Sequence, residues 1–169
     1  MTDLHSEQAS YREKLLEHLF VGELLRHLWQ INVTDVEILS PEVDNSGYDV
    51  VLECNGVLRY IQLKSSFIGS KTARQNLNLR LAEKPGGCVV WMYFDAETLE
   101  LGPFYWFGGE PSGQFPDISE LQVAKHSKGD ASGTKNERAN IRVLPKRRFE
   151  KLASIDELAA SLFGVPAAS

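Results

Sequence analysis

Between residues 10 and 30 Leu and Phe recur at helical spacing, with Leu16, Leu19 and Phe20 on one side of the predicted helix. Ser10 followed by Glu13 has the form of a capping box and marks its predicted start. His5 falls ahead of it, in an N-terminal end expected to be disordered. Residues 33–39 then read as a strand and 41–47 as a loop. The stretch SGYDVVLECNGVLRYIQLKSS (46–66) holds two β-rich runs around Asn55-Gly56. That dipeptide is the strongest short-range signal for a hairpin closed by a two-residue type I′ turn. Residues 71–83 are predicted helical, stopped at Pro85-Gly86-Gly87. CVVWMYF (88–94) is apolar throughout, as in a strand buried on both faces. A short strand at 104–107 follows, then 108–137, rich in Gly, Ser and Pro, where the pattern defines no element. Residues 139–144 read as the final strand. Ser154 and Glu157 form a second capping box, opening a helix over 155–163 that Gly164 ends. With no internal repeat and no dividing linker, the expectation is one domain over 1–169 with its core at about 10–95.

The hairpin register brings three polar residues together. If Cys54 pairs with Val57, Asp49 falls directly opposite Gln62, their Cβ atoms roughly 4.5–5.5 Å apart. Lys64, two residues on, shares that face at the diagonal position. The other face collects Val50, Leu52, Cys54, Val57, Ile61 and Leu63, which suits a core. A carboxylate and an amide oxygen at this separation can reach one hard cation, which takes oxygen ligands. An ammonium beside them can orient a water or a phosphate oxygen. The plainer alternative is an Asp at a turn, with Gln and Lys on a solvated sheet face. Val51 and Tyr60 on the same face weigh against it, because they suggest partial cover.

Composition narrows the class without naming it. The chain has 169 residues, 43% hydrophobic and 24% charged, which fits a soluble globular domain with a real core. No run approaches the ~18 apolar residues of a membrane span, and MTDLHSEQAS has neither part of a secretory signal. The two cysteines, Cys54 and Cys88, fall in apolar strand-like runs and read as small buried hydrophobes. A cytoplasmic location is the resulting expectation, with no membrane partner.

Net charge is −5, yet residues 125–151 carry nine basic and three acidic side chains, a local +6, and the remainder is −11. Lys125, Lys128, Lys135, Arg138, Arg142, Lys146, Arg147 and Arg148 therefore read as a face suited to a polyanion. A basic solvated loop is the other reading of the same charges.

Tyr48-Asp49 followed by Ile61-Gln62-Leu63-Lys64 across a hairpin resembles the PD-(D/E)XK nuclease superfamily, with its restriction-endonuclease-like fold. That pattern places an acid at the start of one strand and (D/E/Q)-x-K in the next. The glutamine form is similar to that of Mrr-type restriction endonucleases; the proline of the family name is absent. The resemblance covers about residues 10–95 and implies an α/β fold with a mixed central sheet flanked by helices. It further implies metal-dependent hydrolysis of phosphodiesters, most often in DNA, in a restriction, repair or phage-defence context. Asp49 and Gln62 would bind Mg²⁺ or Mn²⁺, with the backbone carbonyl of Leu63 as a further ligand. Lys64 would position the attacking water, and the basic segment would hold the DNA backbone without reading sequence.

Many members of the superfamily also carry a metal-linked Glu in the preceding helix, and Glu23 is the candidate here. At ~100° per residue it shares the direction of Leu16, Leu19 and Phe20, while Glu13 and Glu17 lie roughly 80° and 120° away. A carboxylate against an apolar stripe needs a partner, which a metal would supply. An ion pair with Arg26 or His27 is the competing explanation. The aromatic runs 91–94 and 103–109 read as core, and His18, His27 and His126 show no ligand spacing. A catalytically inactive nucleic-acid-binding or accessory module on the same fold is the alternative function. RNA stays open beside DNA, and so does a homodimer.

Overall fold

The computed structural model describes residues 2–43, 45–129 and 131–166. In chain order the elements are α1 (Thr2–Glu7), α2 (Ala9–Gln30), β1 (Val36–Leu39), β2 (Val50–Cys54), β3 (Val57–Phe67) and β4 (Arg74–Asn78). They continue with α3 (Leu79–Ala82), β5 (Gly87–Phe94), β6 (Leu101–Gly108), β7 (Val123–Lys125), β8 (Glu137–Pro145), β9 (Glu150–Leu152) and α4 (Ile155–Phe163). A 3-10 turn at Lys146–Arg148 joins β8 to β9. Six strands form a mixed sheet in the order β1-β2-β3-β5-β6-β9, and β4-β8-β7 form a second, three-stranded sheet. The α/β class with a mixed central sheet and flanking helices is therefore as the sequence implied. Among the described residues no helix is long and apolar enough to cross a membrane.

Asn55-Gly56 makes the predicted turn, with φ of 49° and 78°, and the hairpin pairs Cys54 with Val57 and Val50 with Ile61. Both central residues have positive φ, so the turn twists with the strands it joins. β3 continues beyond the hairpin and pairs parallel with β5 from Tyr60↔Gly87 to Phe67↔Phe94. Every residue of β5 is buried. That follows from its position, because both faces of the central sheet are covered. Leu16, Phe20, Leu24 and Leu28 of α2 and Leu158 and Leu162 of α4 pack with Val50, Leu52, Cys54 and Ile61 on one face. On the other, Leu77, Leu81 and Leu144 pack with Val89, Trp91, Tyr93 and Phe107. Each Leu or Phe so enclosed contributes roughly 1.5–3 kcal/mol.

Arg59, opposite Leu52, is fully buried on the first face. Its guanidinium donates to Leu162 O at 2.6 Å, Ser161 O at 3.2 Å and Gly109 O at 3.0 Å. A cation thus satisfies carbonyls at the C-terminal end of α4, where the helix dipole is negative, although burial pulls its pKa down. Cys54 and Cys88 are free and buried, and burial pushes the Cys88 thiol up to about 12. Both are inert core groups, as their apolar surroundings suggested.

Several elements differ from the sequence reading. The helix expected over 71–83 is strand β4 plus the single turn α3. Leu77 and Leu81 fit either period, but β8 offers a ladder to residues 74–78, and Asn78 Oδ1 accepts the Arg80 N–H as a helix cap. Ser10 does not cap α2. That helix starts at Ala9 directly after α1, and His5, far from disordered, donates from Nε2 to Ala96 O at 2.9 Å. The second box does not form: Ser154 is the N-cap residue of α4 but makes no side-chain capping bond, and Glu157 accepts from the Ala153 N–H at 2.7 Å, one residue before the cap. The segment from 108 to 137 contains β7, held by pairing with β8.

Candidate active site

β2 begins at Val50, whereas β3 runs on to Phe67, so among the described residues the β2-facing edge of β3 beyond Ile61 has no strand beside it. Asp49 stands at that step. Its N–H donates to Ile61 O at 2.8 Å, and its Oδ2 accepts the Leu63 N–H at 2.6 Å. In an extended strand the N–H and C=O of one residue point the same way. The Leu63 carbonyl therefore faces the same unpaired edge, beside the Asp49 carboxylate. Gln62 lies opposite Asp49 by continuation of the register, and Lys64 follows on the same face.

A cleft of about 510 Å³ opens here. Asp49, Gln62, Leu63, Lys64 and Ser65 line one wall; Ser10, Glu13, Lys14 and Glu17 of α2 form another, with Gln75 and Met92 completing it. Gln62 is only 8% exposed, and its Oε1 is buried with no hydrogen-bond partner among the described residues. A buried amide oxygen without a donor is costly and calls for a reason. Flanked by a carboxylate and a backbone carbonyl, it belongs to an oxygen donor set of the kind a hard divalent cation takes. The described residues hold no group of three or more His, Cys, Asp or Glu side chains arranged for a metal.

Glu23 is not among the residues that line the cleft. It lies partly buried further along α2, where burial raises its pKa, Arg26 lowers it and Glu100 raises it. Its direction beside the apolar stripe is as the helical spacing indicated, but it sits further along the axis than the α2 residues that line the cleft. Glu17 is six residues nearer the N-terminus, about 9 Å along the axis, and it lines the cleft together with Asp49. Sequence reasoning read Ser10 and Glu13 as a cap and did not place Ser10, Glu13, Lys14 or Glu17 at the site, although their spacing i, i+3, i+4, i+7 puts them on one polar helix face. The Glu17 side chain is 15% exposed and accepts from Lys14 Nζ at 2.8 Å.

The basic residues of 125–151 separate into two groups. Lys125, Lys128, Lys135, Arg138 and Arg147 are exposed. Arg142, Lys146 and Arg148 are turned to internal partners. Arg142 donates to Ala139 O, and Arg148 donates to Asp117 O and lies over the Phe107 ring. Lys146 Nζ donates to Tyr93 Oη at 2.8 Å and sits 4.5–5.5 Å from the ring centres of Tyr105, Tyr93 and Trp91. Desolvation pulls its pKa down, but its hydrogen bonds to the oxygens of Tyr93 and Tyr105 outweigh that and leave it raised. β8 links this segment to the cleft, because its C-terminal half pairs with β4, which carries Gln75.

Neither a scan against protein-family models nor a search of curated proteins returned a match for this chain.

Proposed function

We propose that the protein is a metal-dependent nuclease of the PD-(D/E)XK type, with a restriction-endonuclease-like fold and the glutamine form of the motif. One observation carries this reading: Asp49, the partnerless Oε1 of Gln62 and Lys64 face a single cleft against helix-borne carboxylates. Asp49, Gln62 and the Leu63 carbonyl would hold Mg²⁺ or Mn²⁺, with Glu17 on the facing wall. A cation there supplies polarisation of the phosphoryl oxygen and an acidified water. Lys64 steadies the charge that develops on the phosphate and helps orient the water.

Charge supports a diester as substrate. Glu13, Glu17 and Asp49 against Lys14 and Lys64 give the cleft a formal −1. One divalent cation makes it +1, matched to the single charge of a phosphodiester rather than to a phosphomonoester dianion. The exposed set Lys125, Lys128, Lys135, Arg138 and Arg147 would hold neighbouring phosphates without selecting sequence. The test is incubation with plasmid, linear and branched DNA in Mg²⁺ or Mn²⁺, beside a Lys64→Ala control. Metal-dependent cleavage lost in the control is the expected result. DNA binding without cleavage by the wild type under any of these conditions would replace the nuclease by an inactive binding module.

A further inference from the structure

Much of the outward face of α2 stays uncovered by the described residues, yet it carries large apolar side chains where a helix is normally polar. Tyr11, Leu15, His18, Gly22, Leu25 and Trp29 fall within about 40° of one line along the helix. Tyr11 is 68% exposed and Trp29 73%. Gly22 sits in the helix interior, where glycine is unfavourable, and a Cβ added there would meet nothing within 4 Å. Nothing among the described residues therefore requires a glycine at this place. At the N-terminal end of the same face lies an apolar hollow of about 280 Å³, walled by Leu4, Gln8, Tyr11, Leu15 and Leu99.

We propose that this face is a homodimer interface, formed by two α2 helices packed antiparallel about a two-fold axis near position 20. It stands independently of the nuclease reading. In that register Tyr11 faces Trp29 of the second copy, Leu15 faces Leu25, and His18 faces Gly22. Each pairing occurs twice, as an isologous contact requires. The two bulky ends meet each other, and the imidazole of His18 lies over the space that Gly22 leaves. Trp29 of the second copy comes to the mouth of the hollow, so knob and hole are carried by one chain at matching heights. A parallel arrangement would instead set Trp29 on Trp29 and leave both hollows unfilled.

Area is adequate for a specific contact. From Tyr11 to Trp29 the helices run side by side for about 27 Å. Trp29, Tyr11, Leu25 and Leu4, which is 65% exposed, together present on the order of 500 Å² per copy. Complete burial of these side chains in both copies would remove roughly 1,000 Å², the size at which specific interfaces begin. Of the cleft residues on α2, Ser10, Glu13 and Glu17 point about 100° or more away from this line and Lys14 about 60°, so the carboxylate side of the cleft stays open in the dimer.

Sedimentation velocity of the full chain from about 1 to 100 µM should show a monomer–dimer equilibrium. Trp29→Lys and Tyr11→Lys should each be monomeric over that range with unchanged melting by circular dichroism, since both side chains are exposed in the single chain. Of the three tryptophans, Trp91 and Trp106 are buried, so acrylamide quenching reports on Trp29 and should fall as wild type dimerises. A chain carrying both His18→Cys and Gly22→Cys should oxidise to a covalent dimer. A wild type that stays monomeric throughout overturns the proposal, as does a dimer that both lysine variants leave intact. Dimers in solution without cross-linking of the cysteine variant overturn the antiparallel register. Protection of Trp29 only on adding DNA or anionic vesicles, with the protein still monomeric, assigns the face to a different partner and overturns it too.

Discussion

The Leu63 main-chain N–H donates to Asp49 Oδ2 at 2.6 Å, at the point where the ladder between β2 and β3 stops. A backbone carbonyl would have accepted that N–H had the ladder continued past Asp49 to Tyr48, which the register sets opposite Leu63. Instead a side-chain carboxylate accepts it, which fixes the acid and leaves the Leu63 carbonyl facing the cleft. The same bond thus ends the hairpin and orients the proposed metal donors.

Asp49 therefore has two roles that separate by substitution. Asp49→Asn keeps an oxygen that can accept the Leu63 N–H, so its melting temperature should stay close to wild type. Asp49→Ala removes the acceptor and should cost roughly 1–3 kcal/mol. Both remove the negative charge, and both should lose Mn²⁺ binding by calorimetry and plasmid cleavage. Retention of either property in Asp49→Asn would sink the assignment.

Glu17 and Glu23 give opposite expectations. Glu17→Gln should weaken metal affinity and cleavage by ~10–100-fold, the range found when groups supporting a metal site are removed. Glu23→Gln should leave both near wild type, because Glu23 stands outside the cleft. It should instead change the pH dependence of stability. Burial raises the folded-state pKa of Glu23 above 4.5, so in that window the native state binds more protons than the unfolded chain. Wild-type stability then falls as pH rises through the folded pKa. The variant should melt at least as high as wild type at pH 7, and the difference should vanish below about 4.5. Urea melts across this range decide it; a variant less stable at pH 7 would mean the Arg26 attraction dominates.

The basic segment also divides. Neutralising Lys125, Arg138 and Arg147 together should weaken DNA binding across all sequences and reduce the salt slope by up to ~3, with no change in melting. Lys146→Met should do the reverse. It loses a hydrogen bond and contact with three aromatic rings, so about 1 kcal/mol of stability should go, with little effect on the slope. A slope unchanged by the triple variant would leave those cations as solvated surface.

The parts of this protein that were legible in the sequence are those set by local geometry. Asn55-Gly56 fixes one turn type, the turn fixes the register, and the register places Asp49 beside Gln62 and on the face of Lys64. The angle of Glu23 around α2 was equally readable, because 3.6 residues per turn is local. Which height along α2 meets the hairpin is not local; it depends on how the helix docks on the sheet, and Glu17 was missed for that reason. Ser10 and Glu13 show the same limit, since a capping box and one face of a longer helix share one spacing. Residues 74–78 became a strand because β8, more than sixty residues later, supplies a partner. No window of the sequence contains that information.

Gln62 offers the sharpest test of a cation in the cleft. Gln62→Glu places a second carboxylate opposite Asp49, at a position only 8% exposed. Without metal, two carboxylates ~5 Å apart in a desolvated site repel, and one pKa must rise. The metal-free variant should therefore melt below wild type at pH 8, and the gap should narrow as the pH falls and the shared site takes up a proton. With Mg²⁺ or Mn²⁺ the sign reverses, because each added anionic oxygen strengthens the binding of a hard cation. The metal-induced rise in melting temperature should exceed that of wild type. Cleavage need not follow, since tighter binding of the ground state does not by itself lower the barrier. Melts of both proteins in chelator and in excess metal supply the four values needed. A metal-induced shift no larger than wild type's would mean that the partnerless oxygen of Gln62 does not face a cation, and that its burial needs another explanation.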